Sequence, residues 1–374
     1  MEEFEIAVPQ KRLDRIAARL ADARVGPFPA DEDEWALGMS ARYLTDLIHY
    51  WHTEYDWRAE EAELNAYPQY RATIDGLAVH FQHIRAPGGH PVPIVLTHGW
   101  PGSIVEFQAV IPMLVEAGFS VVVPSLPGYG WSGKPANPVG PAYTADLWRK
   151  LMVDVLGYPR FYAQGGDWGS MVTSWLAARH SDVVPAIHLN LFRTITPDGT
   201  AAGGGDPRLG VYWAKVAKVM ATESAYQQLH QTRPQTIGLA LHDNPVGWAA
   251  WVVEKFQRWS DNRGEIENSF TKRQLITNLM TYLTTDSVMS SIWFYYGNRQ
   301  ESALPLPLQV PTGLASYPGE FLPLPDRDLA ALAYNVRHYA VMPSGGHFAA
   351  MEAPADFAQN LIEYFSEISS SQAT

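Results

Sequence analysis

A heptapeptide near the middle of the chain, QGGDWGS at 164–170, has the residue types of a nucleophile on a tight turn. Gly165, Gly166 and Gly169 surround Asp167, and such small residues are required where a strand turns sharply into a helix and exposes the central side chain. A serine at that position needs a base to remove its proton, whereas an aspartate is ionised at neutral pH and can attack a saturated carbon directly. The pattern therefore predicts an ester between the protein and an alkyl group as the reaction intermediate.

Two loops further along the chain carry residues that could complete a catalytic triad with Asp167. SYPGEFLPLPD contains Glu320 after the penultimate predicted strand, and SGGHFAAME contains His347 after the last one. A histidine at a strand end can act as a base on water, and a carboxylate beside it holds its tautomer and stabilises its cation. The chain order nucleophile, acid, histidine is typical of the α/β-hydrolase fold. Asp326 and Glu352 are the alternatives for the acid.

Hydrolysis of an ester on Asp167 also needs hydrogen-bond donors directed at the carbonyl oxygen of that side chain. In this fold the donors are two backbone N–H groups, one from the residue after the nucleophile and one from a loop after an early strand. Trp168 is the first of these residues. The segment IVLTHGWPGS at 94–103 begins as a strand and predicts the second oxyanion donor at Trp100.

Short apolar segments that end in Gly- and Pro-rich loops alternate with helical patterns along most of the chain. The predicted strands of this alternation are 94–97, 121–124, 161–163, 187–191, 310–315 and 336–342. They predict an α/β protein with a mostly parallel central sheet and helices on both faces. Before them, 70–74 and 77–84 flank Asp75 and Gly76, a pair typical of a tight hairpin turn.

The strand pattern stops between 192 and 308, where helical segments rich in Trp and Tyr follow a Gly-rich stretch at 203–205. We interpret this region as a lid inserted into the sheet order, with 203–205 as its hinge. The start of the chain favours amphipathic helices that lead into the hairpin. The predicted division is an N-terminal helical extension at 1–85, a first core part at 86–192, a helical lid at 193–307 and a second core part at 308–374.

The charge and hydropathy of the chain narrow its possible partners. A formal charge of -12 and a pI near 5.4 argue against nucleic acid or an anionic membrane surface as a partner and suit a neutral substrate. The chain contains no cysteine, so thiol chemistry and disulfides are excluded. Its charged start and the lack of any apolar run of about 18 residues lead us to expect a cytoplasmic protein with no membrane anchor.

Two patterns that could bind a cofactor or a metal are weak. GYGWSG at 128–133 has the spacing of a dinucleotide-binding motif, but Pro135 follows too closely for the helix that such a motif requires. His49 and His52 share a predicted helix with no further ligands in a metal-binding pattern. We therefore expect neither a cofactor nor a metal ion.

Four segments resemble the microsomal-type epoxide hydrolase family over nearly the whole chain: HGWPGS, GGDWGS, SGGHFAAME and YDWRAEEAELNAYPQYRATIDGLAVHF. The resemblance implies that Asp167 attacks an epoxide and that a histidine–acid pair hydrolyses the ester. It favours Glu320 as the acid, because the PGE context matches the family's position. Family members use two lid tyrosines to hydrogen-bond and protonate the epoxide oxygen. The resemblance places the first at Tyr226 in ESAYQQLHQTRPQT and the second at Tyr295 in SSIWFYYGNRQ, with the adjacent Tyr296 as the alternative.

The resemblance also implies the partners, which are a small-molecule epoxide and water, with a vicinal diol as the product and homodimers among relatives. The many tryptophans and the aromatic lid favour a bulky aryl or alkyl epoxide, as met in detoxification or in secondary-metabolite biosynthesis, including that of enediynes. Haloalkane dehalogenases also use an aspartate followed by tryptophan, but they tend to carry a halide-binding Asn where this chain has Trp100, and they lack the tyrosine pair. A non-catalytic, ligand-binding α/β-hydrolase is the alternative outside the enzymes.

Overall fold

The computed structural model describes residues 1–29, 35–88, 92–193 and 206–372, and a nine-stranded sheet runs through these ranges. The strands are β1 (Glu2–Phe4), β2 (Gln69–Ile74), β3 (Leu77–Ile84), β4 (Val92–Thr97), β5 (Phe119–Pro124), β6 (Tyr162–Gly165), β7 (Ile187–Leu189), β8 (Pro311–Ser316) and β9 (Asn335–Val341). Their order in the sheet is β1-β2-β3-β5-β4-β6-β7-β8-β9. Neighbours up to the β3–β5 pair are antiparallel, and every later pair is parallel.

The α-helices lie before, between and after these strands. They are α1 (Gln10–Ala21), α2 (Ala41–Thr53), α3 (Trp57–Leu64), α4 (Ile111–Glu116), α5 (Pro141–Arg149), α6 (Asp167–Arg179), α7 (Pro207–Glu223), α8 (Ala225–Thr232), α9 (Pro234–His242), α10 (Pro245–Arg258), α11 (Lys272–Thr284), α12 (Ser287–Gln300), α13 (Arg327–Ala330), α14 (Ala349–Glu352) and α15 (Pro354–Gln372). Helical turns also form at Ile104–Phe107, Lys150–Val155 and Ile266–Asn268. None of the helices in the described ranges is both long and apolar enough to cross a bilayer.

The two faces of the sheet are buried in separate apolar cores. Val95 and Val122 pack in one core together with Leu176 of α6, whereas the alternate residue Ile94 packs in another with Leu361 of α15. All five side chains are fully buried. Parallel strands that are covered on both faces have continuous apolar sequences rich in β-branched residues, as β4 and β5 do here. The structure confirms the predicted α/β-hydrolase fold, with its mostly parallel sheet and its helices on both faces.

The predicted hairpin between β2 and β3 is also confirmed. The two strands pair antiparallel as far as Ile74 and Leu77, and Asp75 and Gly76 between them have φ angles of 51° and 80°. A two-residue turn that matches the twist of the strands requires positive φ at both positions, which Gly adopts freely and Asp tolerates. This hairpin connects the N-terminal helices to the parallel part of the sheet.

The helices α7 to α12 lie between β7 and β8 in the chain, where the sequence predicts a lid. Local signals start several of them. Pro207, Pro234 and Pro245 occupy the first position of α7, α9 and α10, where a backbone N–H has no intrahelical partner to lose. Thr271 and Gln274 form a capping box at the start of α11. The hinge predicted at 203–205 lies outside the described residues.

Ion pairs join the N-terminal helices to the lid. Arg12 of α1 donates two parallel hydrogen bonds to Asp286, which precedes α12, and Lys272 at the start of α11 lies 2.6 Å from Asp46 of α2. Each such exposed pair contributes only about 0–1 kcal/mol. Apolar contacts accompany them, because Ile16 of α1 is buried in the main core. The N-terminal extension therefore packs against the lid helices, with ion pairs at the edges of the contact.

Candidate active site

The carboxyl ends of four parallel strands bring predicted site residues to one edge of the sheet. The loops or turns that follow β4, β6, β8 and β9 carry, in that order, Trp100, Asp167, Glu320 and His347. Ligands of open α/β sheets bind at this edge because loops from neighbouring strands converge there.

Asp167 begins α6 directly after β6, with Gly166 between the strand and the helix. Its φ angle is +46°, a left-handed conformation that costs a residue with a side chain about 1–3 kcal/mol and persists only where the surroundings enforce it. A Cβ on Gly165 would lie 2.1 Å from the carbonyl oxygen of Gly169, and one on Gly169 would lie 1.9 Å from that of Thr97. Glycine is therefore required at both positions for the turn that presents the Asp167 carboxylate.

His347 lies between two carboxylates. Its Nδ1 atom is 2.9 Å from Oε2 of Glu320, and its Nε2 atom is 3.3 Å from Oδ2 of Asp167. The side chains of His347 and Glu320 are only 2% and 1% exposed. This burial excludes bulk water from the contacts, so the three side chains interact more strongly than they would at the surface.

The other two candidate acids have different partners. Asp326 caps the short helix α13, where its side chain accepts a hydrogen bond from a backbone N–H at 2.9 Å. Glu352 accepts hydrogen bonds from the N–H of Asp261 at 2.7 Å and from the N–H of the residue after His347 at 2.9 Å. Both carboxylates hold backbone in place, and of the three candidates it is Glu320 that contacts the imidazole.

A short lid segment after α10 holds the loop that carries His347. The N–H of His347 donates to the carbonyl of Trp259 at 2.9 Å, and the N–H of Gly345 donates to the Asp261 carboxylate at 3.2 Å. The Trp259 ring also meets the imidazole edge to face, with centroids 5.0 Å apart. The orientation of His347 is therefore fixed by the lid as well as by Glu320.

The charge state of His347 depends on its two carboxylate neighbours. Burial alone lowers the pKa of the imidazole, because a buried cation loses solvation. The charges and hydrogen bonds of Glu320 and Asp167 outweigh this effect and hold the pKa of His347 well above its ordinary value. The two carboxylates therefore favour the protonated form of His347.

The two oxygens of Asp167 have different surroundings. Oδ1 accepts a hydrogen bond from the backbone N–H of Trp100 at 2.8 Å, whereas Oδ2 faces His347. Trp168 is the second residue of α6, and N–H groups in the first turn of a helix have no intrahelical acceptor. Oδ1 of Asp167 therefore faces a backbone N–H donor, and Oδ2 faces the imidazole.

The loop that carries Trp100 is tied to the lid by two side chains of α11. Asn278, which is fully buried, donates from Nδ2 to the carbonyl of Pro101 at 2.7 Å and accepts from the Ser103 hydroxyl at 2.8 Å. The hydroxyl of Tyr282 donates to the carbonyl of Gly102. Sequence reasoning missed both residues, since a buried Asn and Tyr on a helix give no local signal of the loop they contact.

The two tyrosines assigned by resemblance both line a cavity with Asp167. Tyr226 of α8 stacks on Trp100 with ring centroids 5.4 Å apart, and Tyr295 of α12 meets Trp168 edge to face at 4.7 Å. Their exposures are 8% and 2%, whereas the alternative Tyr296 is 38% exposed. Burial raises the pKa of Tyr226 and of Tyr295, and the negative charge of Asp167 raises each further. Both phenols are therefore neutral hydrogen-bond donors.

This cavity has a volume of about 450 Å³ and lies between the sheet edge and the lid. Its apolar lining residues include Met171, Leu191, Phe192, Leu304, Leu306 and Phe321, and polar side chains such as Arg193 and Asn298 also border it. The volume falls in the range of about 300–1,000 Å³ that is usual for small-molecule sites. A mainly apolar organic molecule larger than a few atoms fits between the carboxylate and the two phenols.

The pattern at 128–133 forms turns rather than the start of a helix. The N–H of Gly128 donates to the carbonyl of Gly133 at 2.9 Å, and the hydroxyl of Tyr129 donates to the carbonyl of Ser291 on α12. These contacts make the segment part of the support of the lid. Within the described ranges, no three His, Asp or Glu side chains are grouped so that they could hold a metal ion.

Comparisons with known proteins agree with this architecture. Residues 1–107 match the family described as "Epoxide hydrolase N terminus", and residues 92–198 match the family described as "alpha/beta hydrolase fold". The chain is 40% identical over 376 residues to a protein of Stigmatella aurantiaca (strain DW4/3-1) that is named as a candidate epoxide hydrolase, with coverage of 98% of this chain and 84% of the relative.

Two further relatives have established names. Epoxide hydrolase 1 of Oryctolagus cuniculus is 32% identical over 403 residues, which cover 96% of this chain and 88% of that protein. The structure of the Aspergillus niger epoxide hydrolase superposes with a TM-score of 0.86 and 31% identity, covering 98% of this chain and 96% of that one. The chain therefore belongs to the epoxide hydrolase family, and it is a hydrolase with the α/β-hydrolase fold.

Proposed function

We propose that this enzyme converts an epoxide and water to a vicinal diol in two steps, through an ester on Asp167. The observation that carries the proposal is the single cavity in which the carboxylate of Asp167 and the phenols of Tyr226 and Tyr295 are brought together, with His347 beside the carboxylate. A carboxylate supplies the nucleophile, and neutral phenols supply donors for the oxygen that leaves carbon.

In the first step, Oδ2 of Asp167 attacks a ring carbon while the bond between that carbon and the epoxide oxygen breaks. The hydrogen bond from Trp100 holds Oδ1 and so fixes the orientation of the carboxylate. Tyr226 and Tyr295 donate hydrogen bonds to the developing alkoxide, which is more basic than a phenolate and so takes a proton from one of them. The product is a hydroxyalkyl ester of Asp167.

Ester formation changes the charge balance at His347. The ester has no negative charge, so the contributions of Asp167 that raise the pKa of the imidazole disappear, while the burial that lowers it remains. His347 therefore loses its proton, which replaces the one given up by the tyrosine. Glu320 keeps the neutral ring oriented through Nδ1.

In the second step, neutral His347 takes a proton from water as the water oxygen bonds to Cγ of Asp167. The negative charge that develops on Oδ1 is stabilised by the N–H of Trp100 and by that of Trp168. The bond between Cγ and the alkyl oxygen then breaks, and the diol oxygen takes a proton from the imidazolium. The acid proton of Asp167 returns to His347, which restores the starting charges.

The larger cavity supports the proposed substrate class. Its volume of about 450 Å³ and its apolar lining suit a bulky aryl or alkyl epoxide, such as those removed in detoxification or formed in secondary-metabolite biosynthesis. Rings of Trp168, Tyr226 and Tyr295 border this cavity and add flat surfaces against which an aryl group can stack. Styrene oxide is therefore a suitable first test substrate.

One observation favours dehalogenation as a second candidate function. Trp168 borders the larger cavity, and its indole N–H has no hydrogen-bond partner among the described residues. An indole N–H can stabilise a leaving halide. The phenols of Tyr226 and Tyr295 favour an oxygen leaving group instead, because they can return a proton to it, and a departing halide needs none.

The two functions are separated by incubating the purified protein with styrene oxide or with 1-bromohexane, and by measuring diol and bromide. We expect diol formation that Asp167→Ala abolishes. Asp326→Asn, which alters a carboxylate that caps α13, is the control for a general loss of charge in the region. Bromide release without diol formation would contradict the proposal and establish a dehalogenase.

A further inference from the structure

A second, much smaller cavity borders the nucleophile. Its volume is about 10 Å³, close to the room that one water molecule needs. Asp167 and His347 are the residues it shares with the larger cavity, and its other lining residues come from the sheet edge and from the loops at that edge. The Asp167 carboxylate and the His347 imidazole therefore border two separate cavities.

Polar side chains that line the small cavity can form hydrogen bonds with a water molecule. Gln164 is 1% exposed, and its Nε2 donates to Oδ1 of Asn190 at 2.8 Å. Its Oε1 is buried and has no hydrogen-bond partner among the described residues. A buried water usually bridges two to four polar groups that would otherwise be unpaired, and this carbonyl oxygen is such a group.

Glu106 of the helical turn Ile104–Phe107 also reaches the small cavity. A Cβ on Gly102 would lie 1.5 Å from Oε1 of Glu106, so the glycine leaves the space that this carboxyl group occupies. The position of Glu106 beside the reacting groups thus depends on a specific residue of the loop that carries Trp100.

The charged and titratable groups that face Glu106 are Asp167, His347 and, from α11, Tyr282. The pKa of Glu106 is raised to about 8, mainly by burial; Asp167 also raises it, whereas His347 and backbone N–H groups lower it. Glu106 is therefore a neutral carboxylic acid at pH 7, with a proton that it can share in a hydrogen bond.

We propose that the small cavity holds the water that hydrolyses the ester, and that Glu106 and Gln164 are positioning residues for it; the inference rests on the two-step reaction proposed above. The water donates one hydrogen to Nε2 of His347 and the other to Oε1 of Gln164. It accepts a hydrogen bond from the acid proton of Glu106, and its remaining lone pair points to Cγ of Asp167.

The step is balanced without any proton leaving Glu106. The water oxygen bonds to Cγ of Asp167, its proton passes to His347, and the bond from Cγ to the alkyl oxygen breaks. A neutral Glu106 is essential to this arrangement, because a carboxylate there would repel the negative charge that develops on the attacking water oxygen and on Oδ1 of the tetrahedral intermediate. Glu106 thus affects ester breakdown and leaves ring opening unchanged.

The test is to measure the two steps separately in Glu106→Ala, Glu106→Gln and the unaltered enzyme. Rapid mixing with excess styrene oxide followed by acid quench and intact mass gives the rate of ester formation and the fraction of ester at steady state. We expect Glu106→Ala to form the ester at the normal rate. Ester breakdown should be about 10- to 100-fold slower, because the attacking water is no longer held in position. Glu116→Gln, an exposed glutamate at the end of α4, is the control.

The glutamine variant separates positioning from a merely structural role. An amide N–H replaces the acid proton, so Glu106→Gln recovers most of the rate that alanine loses. In the unaltered enzyme, ester breakdown slows at alkaline pH, because Glu106 ionises there; the glutamine variant lacks this decline. Thermal unfolding of each variant measures any loss of stability separately.

Ester breakdown that is unchanged in Glu106→Ala, or an alkaline decline that persists in Glu106→Gln, would overturn the role of Glu106 and leave the two-step reaction intact. Absence of any ester in the unaltered enzyme and in both variants, with diol still produced, would instead overturn the two-step reaction, and the inference with it.

Discussion

The two cavities that meet at Asp167 differ in size and in chemistry. The one below the lid has about 450 Å³, many apolar lining residues and two phenols, whereas the one beside Glu106 and Gln164 has about 10 Å³ and is lined by a carboxyl group and by the side chain whose amide oxygen has no partner among the described residues. An organic molecule fits only the first, and the second has room for a single water. The difference suggests that ring opening takes place in the larger cavity and that the water for ester breakdown comes from the smaller one, with the Asp167 carboxylate between them. Changes on one side should therefore affect one step and spare the other.

His347→Gln should have the largest effect, and we expect the main effect on ester breakdown. Glutamine cannot take a proton from water, so we expect ester breakdown to slow by about 10²–10⁴-fold while the ester still forms. Intact mass spectrometry should show the enzyme plus one whole substrate molecule. His52→Gln, an exposed histidine on α2, is the matched control. A variant that turns over normally, with no adduct, would place the base elsewhere.

Removal of both phenols should slow ring opening and leave ester breakdown unchanged. In the double variant Tyr226→Phe and Tyr295→Phe, no proton is available for the leaving oxygen, and we expect ring opening to slow by about 10²–10³-fold. Each single change should have a smaller effect, because one donor remains. Rapid mixing measures the rate of ester formation.

Tyr296, the exposed neighbour of Tyr295, provides the control for these variants. Tyr296→Phe alters a side chain that is 38% exposed, and it should leave ester formation unchanged. A normal rate of ester formation in the double variant, or a slow rate in Tyr296→Phe, would remove Tyr226 and Tyr295 from the mechanism.

The pKa of His347 should be higher in the free enzyme, where Asp167 is charged, than in the ester, where it is not. Asp167 and Glu320 raise the pKa of His347 in the free enzyme, and ester formation cancels the share of Asp167. Ester breakdown needs the neutral imidazole, so its rate should rise with pH through a pKa that lies below the value in the free enzyme. NMR titration of the imidazole before and after ester formation in a slow variant checks this. Identical values in both states would contradict the proposed proton balance.

A bulky side chain in the larger cavity should have the smallest effect. Met220 lines that cavity from α7, and Met220→Trp should raise KM for styrene oxide about tenfold and leave propylene oxide unaffected, since steric changes of this size cost a few kcal/mol or less. Val211→Trp, on the exposed side of the same helix, is the control. Slower ester breakdown in Met220→Trp would show that the two spaces are not independent.

The sequence predicted much of the fold because the signals are local. Asp75 and Gly76 indicate the hairpin by themselves, and the β-branched runs of β4 and β5 indicate buried parallel strands. The elbow around Asp167 needs glycines at fixed positions, so its form can also be inferred from a few letters.

The contacts that complete the site are not local, which is why the sequence could not supply them. Asn278 and Tyr282 hold the loop of Trp100 from more than 170 residues away in the chain. Tyr295 and Tyr296 are adjacent on one helix, and only their burial, which packing decides, distinguishes them. Glu106 lies in a short helical turn, where nothing in the local pattern indicates that it lines a cavity with Asp167. The roles of all these residues stay predictions until the variants are measured.

The origin of the oxygen in the diol tests the central claim most directly. A single turnover of excess enzyme with styrene oxide in H₂¹⁸O is quenched, and the diol and the peptide that contains Asp167 are analysed by mass spectrometry. If Oδ2 of Asp167 attacks the ring and water then attacks Cγ, the diol carries no ¹⁸O and Asp167 gains one. A labelled diol with an unlabelled Asp167 would mean that water attacks the epoxide directly, and the two-step account would be wrong.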